Sequence, residues 1–180
     1  MSYRSDAVQE ALDEWKRHPE GRPAVYWADV LPPGTEPPKD WCAAFVLWAY
    51  HRAGLGRAIK QYPVLGFVGP AGLKPTSSPL PGDIVYLAEP FQHHAMLVSY
   101  DPATGMVTTI DGNQPGIKPQ VRFKSSNMSF YSIEPLVLAA EAEFSWGYVL
   151  AGAAILGAGA YIWLSGVPAP LERTLKRLGL

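Results

Sequence analysis

The chain is poor in several things that narrow what it can be. It has one cysteine in 180 residues, Cys42. That excludes an intrachain disulfide and a cysteine-built zinc site. Charged residues make up 17% of the chain and the net charge is −1. With a pI near 6.4 there is no basic surplus to attract nucleic acid, which is not expected as a partner. The first fifteen residues, MSYRSDAVQEALDEW, contain no apolar run, so they are not expected to act as a secretory signal peptide. No internal repeat is visible. Proline and glycine, in contrast, are plentiful at 18 and 17, which points to a loop-rich domain.

Patterning divides the rest. Residues 5–18 read as an amphipathic helix capped by Ser5 or Asp6, with Val8, Ala11, Leu12 and Trp15 on its apolar face. From Gly21 to Lys39 the chain is Pro-rich, with LPPGTEPP as an extended loop. A short apolar helix follows from Trp41, and Gly56 to Pro81 reads as loop. The texture then changes to short β-branched and aromatic runs: GDIVYLA, HAMLVSYD, GMVTTIDGN, QVRFKS and FYSIEPLVL. DPATG between two of them suits a hairpin. Helices first and a strand meander after predict an α+β domain with an antiparallel sheet over residues 1–140.

Beyond Glu143 charge disappears. FSWGYVLAGAAILGAGAYIWLSGVPAPL carries none from Phe144 to Leu171, about 28 residues. About 20 apolar residues cross a bilayer core, and Trp146, Tyr148, Tyr161 and Trp163 lie where interfacial aromatics sit. One transmembrane helix is therefore expected over 144–167, with the lipid bilayer as partner and a short basic amphipathic tail at 168–180. Small residues four apart, Gly147/Ala151 and Ala153/Gly157, would permit helix–helix self-association. Arg173, Lys176 and Arg177 would place the tail in the cytoplasm and the main domain outside, which sits awkwardly with the lack of a signal peptide.

Cys42 opens the apolar helix, after Pro37 and Pro38 and one residue past Trp41. Asp40 is the expected N-cap. Free N–H groups and the positive helix end favour thiolate over thiol there, but a lone cysteine is also a common buried hydrophobe. A nucleophilic cysteine needs a base within reach and a group to orient that base. The histidines are His18, His51, His93 and His94. His18 reads as solvated. His51 lies about 13 Å along the same helix, too far to pair. His93 and His94 open a strand, where alternation sends them to opposite faces, so either could face the cysteine. Asp111 and Asn113 lie two apart at the end of the next strand, and the acidic group there could orient a ring, although DGN also reads as a plain turn.

Together, WCAAFV, PGDIVYL, HHAMLVSYD and TIDGNQ resemble the CHAP branch of the NlpC/P60-like cysteine peptidases and amidases. The resemblance covers about residues 5–138. It implies a papain-like fold, in which the nucleophile helix packs on an antiparallel sheet carrying the histidine. It implies Cys42 as nucleophile, His94 as base because it directly precedes the small Ala95, and Asp111 and Asn113 as the polar third residue and helper. Which of those two orients His94 is left open. Met96 departs from the glycine usual there, and Asp111 from the more frequent glutamate. The implied activity is cleavage of an amide bond in bacterial peptidoglycan, as an endopeptidase or an N-acetylmuramoyl-L-alanine amidase, with no cofactor and no metal.

Two other readings compete. A lipid acyltransferase of the same superfamily would have histidine before cysteine, the reverse of the order here. A non-catalytic membrane-anchored structural protein would have little reason to keep Cys42, His94 and Asp111 together. A wall-cutting enzyme with an anchor and no export signal suits either a phage particle, used in entry or lysis with virion proteins as partners, or a bacterial inner membrane.

Overall fold

The computed structural model describes residues 3–56, 73–90 and 92–142. The chain divides into two units, Met1–Ala140 and Glu141–Leu180. In the first, three helices, α1 (Tyr3–Arg17), α2 (Pro23–Val30) and α3 (Cys42–Tyr50), precede six strands: β1 (Lys74–Pro75), β2 (Ile84–Leu87), β3 (His93–Asp101), β4 (Met106–Asp111), β5 (Lys118–Phe123) and β6 (Met128–Ser132). The strands form one antiparallel sheet in the order β1-β6-β2-β3-β4-β5.

The expected fold class is corrected in one respect. The α+β architecture with an antiparallel sheet is present, but no helix among the described residues is long and apolar enough to cross a membrane. The expected span, 144–167, and the tail, 168–180, lie outside the described residues.

Helix α1 buries Ala7, Ala11 and Glu14, a four-then-three spacing that lines one helical face. It begins at Tyr3, so Ser5 and Asp6 lie in its first turn rather than capping it. Glu14 is fully buried and ionised: Arg22 donates to both its oxygens at 2.8 Å and the Tyr26 hydroxyl donates at 2.9 Å. Burial opposes the charge, and those donors hold its pKa below the usual value. The Pro-rich stretch also contains α2, which ends just before LPPGTEPP, and that segment is loop as expected. Pro23 sits in its first turn, where the missing N–H costs nothing, and Tyr26 and Trp27 drive its burial. Every residue of α3 is buried. The helix then widens into a π-type turn, His51–Leu55, in which Gly54 takes a φ of 94°.

The sheet has two distinct faces. Ile84, Met96 and Ile110 point to the helices and share one core with Phe45, Val46 and Ala49 of α3. Val85, Ala95, Leu97, Val107, Met128 and Phe130 form a second cluster on the opposite face. The β3–β4 hairpin turns where Asp101 was expected to start it, with Gly105 N–H donating to the Asp101 carbonyl at 2.8 Å. Its register slips between Leu97 and Ser99, leaving one extra residue in β3, a β-bulge. The last run expected as strand, FYSIEPLVL, is strand only through Ser132, and residues 134–142 are helical. The two-residue β1 falls in a stretch expected to be loop.

Asp83, of the Pro-Gly-Asp lead into β2, is a tie point of the framework. Its carboxylate accepts from Leu80 N–H at 2.8 Å, from Ile133 N–H at 3.0 Å and from Arg4, which also reaches Glu134 at 3.1 Å. It is 1% exposed, so it joins α1, the start of β2 and the end of β6 through buried polar contacts.

Candidate active site

Cys42 is the first residue of α3, and two aromatic contacts fix where that helix begins. Trp41 precedes it as N-cap, and the Trp41 carbonyl accepts the first helical bond, from Phe45 N–H at 3.0 Å. The Trp41 ring packs on Tyr26 with centroids 5.5 Å apart. A Cβ on Gly112, just past β4, would come within 2.9 Å of both Trp41 Cζ3 and Phe45 Cβ. The glycine of the DGN step therefore lets the first turn of α3 lie directly against the end of β4. Asp40, expected to cap the helix, does not; its Oδ1 accepts from the Asn113 side-chain amide at 3.2 Å.

The two histidines diverge as strand alternation requires. His94 lies on the helix-facing side with Tyr86, their rings 4.9 Å apart. His93 lies on the other face, which is also the face of Asp111, because the bulged register sets Ala95 opposite Asp111. His93 Nε2 is 2.9 Å from Asp111 Oδ2. Since the carboxylate carries no proton, Nε2–H is the donor. Both imidazoles lower the pKa of the Cys42 thiol, His93 more strongly than His94. The orienting bond expected for His94 thus belongs to His93. Asn113, the expected helper, takes φ 62° and turns to Asp40 instead.

All three central groups are enclosed: Cys42 is 7% exposed, His93 5% and Asp111 0%. Burial alone would raise the thiol. The hydrogen bonds from His93 and His94 outweigh it and bring Cys42 down from 9.0 to about 6. Burial likewise works against a charged His93, and Asp111 and Cys42 outweigh it, lifting the imidazole to about 9. Burial pushes Asp111 up, and its donors hold it below the usual carboxylate range. At neutral pH the site is a thiolate–imidazolium pair backed by a carboxylate.

Asp111 has a further partner that sequence reasoning missed. Arg122 on β5 donates through one Nη to Asp111 Oδ2 at 2.9 Å, and through the other to Thr109 Oγ1 at 2.7 Å and to Asp111 Oδ1 at 3.4 Å. Thr109 in turn donates to Asp111 Oδ1. Bringing a carboxylate out of water costs several kcal/mol unless its lone pairs are satisfied; His93, Arg122 and Thr109 satisfy them here. The only sequence signal was QVRFKS as a strand, and that could not name its neighbour. A cleft of about 270 Å³ opens beside His93 and Arg122, bordered by Leu87, Gln114 and Asn127. Among the described residues, no group of three or more His, Cys, Asp or Glu is arranged to hold a metal ion.

Fold and site together define a class: an α+β domain with a helix-start cysteine set against a sheet-borne histidine and carboxylate. Comparison with protein-family models, with curated proteins and with solved structures found no match.

Proposed function

We propose that this chain is a cysteine hydrolase that cleaves an amide bond by acyl transfer, with Cys42 as nucleophile, His93 as base and acid, and Asp111 orienting His93. The observation that carries the reading is the buried His93–Asp111 bond, in which the ionised carboxylate fixes the ring at 2.9 Å, beside a helix-start thiol whose pKa His93 lowers. An inert buried cysteine needs no such partners. The thiolate attacks the carbonyl carbon. The carbonyl oxygen becomes an oxyanion, for which the free first-turn N–H groups of α3 can serve as donors. The His93 imidazolium then gives its proton to the leaving amine as the C–N bond breaks. Water, deprotonated by His93, attacks the thioester, the C–S bond breaks, the acid leaves, and the thiolate–imidazolium pair is restored.

The substrate class rests on the resemblance of WCAAFV, PGDIVYL, HHAMLVSYD and TIDGNQ to the CHAP enzymes, and it is an amide of bacterial peptidoglycan. The resemblance suggested His94 as base; the hydrogen bond to Asp111 favours His93. The test is digestion of purified peptidoglycan by the full chain, with released fragments read by mass spectrometry and Cys42→Ala as control. Fragments from the native chain alone would support the reading and name the bond. No fragments from either chain, across several wall chemistries, would overturn the substrate assignment.

A further inference from the structure

We infer that Arg122 is a positioning residue of this site, a fourth member that holds Asp111 in place and sets the charge balance in which the Cys42–His93 pair forms. The geometry is specific. Oδ2 of Asp111 is shared between His93 Nε2 and an Arg122 Nη, both at 2.9 Å. The oxygen that orients the ring is thus the oxygen the guanidinium grips. The other Nη is anchored on Thr109, whose hydroxyl in turn donates to Oδ1. Both Nη atoms of the fork thus engage the Asp111–Thr109 pair at once, which arginine can do and lysine cannot.

His93 comes from β3, Arg122 from β5, Asp111 from β4 and Cys42 from α3, with His94 also acting on the thiol. Lys118, across the strand from Asp111, is solvent-exposed. Thiolate, imidazolium, carboxylate and guanidinium sum to zero, so the enclosed cluster is neutral when the ion pair is formed. Without Arg122 the same pair leaves one negative charge buried. A lost positive charge makes every neighbouring proton harder to remove. Both transitions therefore move to higher pH: formation of the thiolate, and loss of the His93 proton. The catalytic consequence rests on the function proposed above; the charge consequence does not.

The test is alkylation of the full chain by iodoacetamide across pH. Cys42 is the only thiol, so the reading is unambiguous. The Arg122→Gln variant is expected to move the alkylation midpoint up by roughly one pH unit. Arg122→Lys, which keeps the charge and loses the fork, is expected to move it by less than about half of that. A glutamine variant with the native midpoint would overturn the inference. Should that variant not fold, nitrogen NMR of the native guanidinium decides: its Nη resonances must titrate with the Cys42 midpoint, and flat resonances would overturn it. Peptidoglycan digestion run alongside separates the two claims. A moved midpoint with no digestion by any chain would support the clamp and count against the hydrolase.

Discussion

Replacing His93 or His94 one at a time distinguishes the two candidate bases, and the structure gives the size of the difference. A fall of the Cys42 pKa from 9.0 to about 6 corresponds to about 4 kcal/mol of preference for thiolate. Burial opposes that preference, so the hydrogen bonds supply more than the net. Of these the His93 side chain acts most strongly, and His93 alone carries the Asp111 bond. In His93→Gln the strongest donor and its carboxylate support are lost together, while the burial remains. The midpoint should rise by at least about 2 pH units. In His94→Gln it should rise by less than half as much.

The rate at a single pH would miss this. At pH 7.5 a thiol titrating at 9.0 is about 3% ionised and one at about 6 is about 97% ionised, a gain of roughly thirtyfold in thiolate. A thiolate three units less basic is also about twentyfold less nucleophilic, with a Brønsted slope near 0.45. The two nearly cancel, so the midpoint of an iodoacetamide titration is the right observable. Peptidoglycan digestion should fall at least about a hundredfold in His93→Gln, the usual worth of a general base. A His93→Gln chain that still titrates near 6, or a His94→Gln chain that shifts more than it, would refute the assignment.

Other consequences can be measured directly. The Cys42 thiolate is lost as pH falls through about 6, and the His93 proton is lost as pH rises through about 9. Digestion should follow a bell between those limits, which belong to the coupled pair rather than to either residue; a rate still climbing beyond the upper limit would contradict it. Asp83→Ala removes a buried acceptor from Arg4, Leu80 and Ile133. It should cost about 3–5 kcal/mol in denaturant unfolding, with the Cys42 midpoint unmoved in the folded fraction. Gly112→Ala drives a Cβ into Trp41 and Phe45, and should destabilise by about 1–3 kcal/mol while slowing digestion, because it pushes the start of α3 off β4. Asn113→Gly keeps the positive φ and loses only an exposed contact to Asp40; digestion should change by less than about threefold, well below the loss in Asp111→Asn.

Much of the fold was legible because its elements follow local rules. The α3 segment is apolar at every position between a proline pair and a glycine, and each β run from β2 to β5 is bounded by turn residues. Other features depend on partners distant in sequence. Nothing local says that Glu14 will be buried, since its burial is tolerable only with Arg22 and Tyr26 on both oxygens. Those two residues sit in and beside α2, a helix hidden in a Pro-rich stretch whose tertiary burial overrides composition. Arg122 is a similar case: its role exists only because β5 pairs with β4.

The choice between His93 and His94 shows most clearly where local reading ends. Period-two alternation says that the neighbours face opposite ways, and it gives the cysteine no preference. Register decides which one shares a face with Asp111. Counting back from the hairpin, Asp101 pairs with Met106, Tyr100 with Val107 and Ser99 with Thr108. Continued without interruption, that count would set Met96 opposite Asp111 and give Asp111 to His94. The bulge after Ser99 adds one residue to β3, so Leu97 pairs with Thr109 and Ala95 with Asp111. A slip of one residue exchanges the faces of a strand, and here it hands the carboxylate from one histidine to the next. The bulge carries no glycine or proline to announce it. It is stabilised by what it achieves on each side: Met96 and Ile110 meet α3, while Leu97 and Val107 fill the opposite face. Which histidine holds the carboxylate is thus selected by the packing of two cores, several residues away from Asp111.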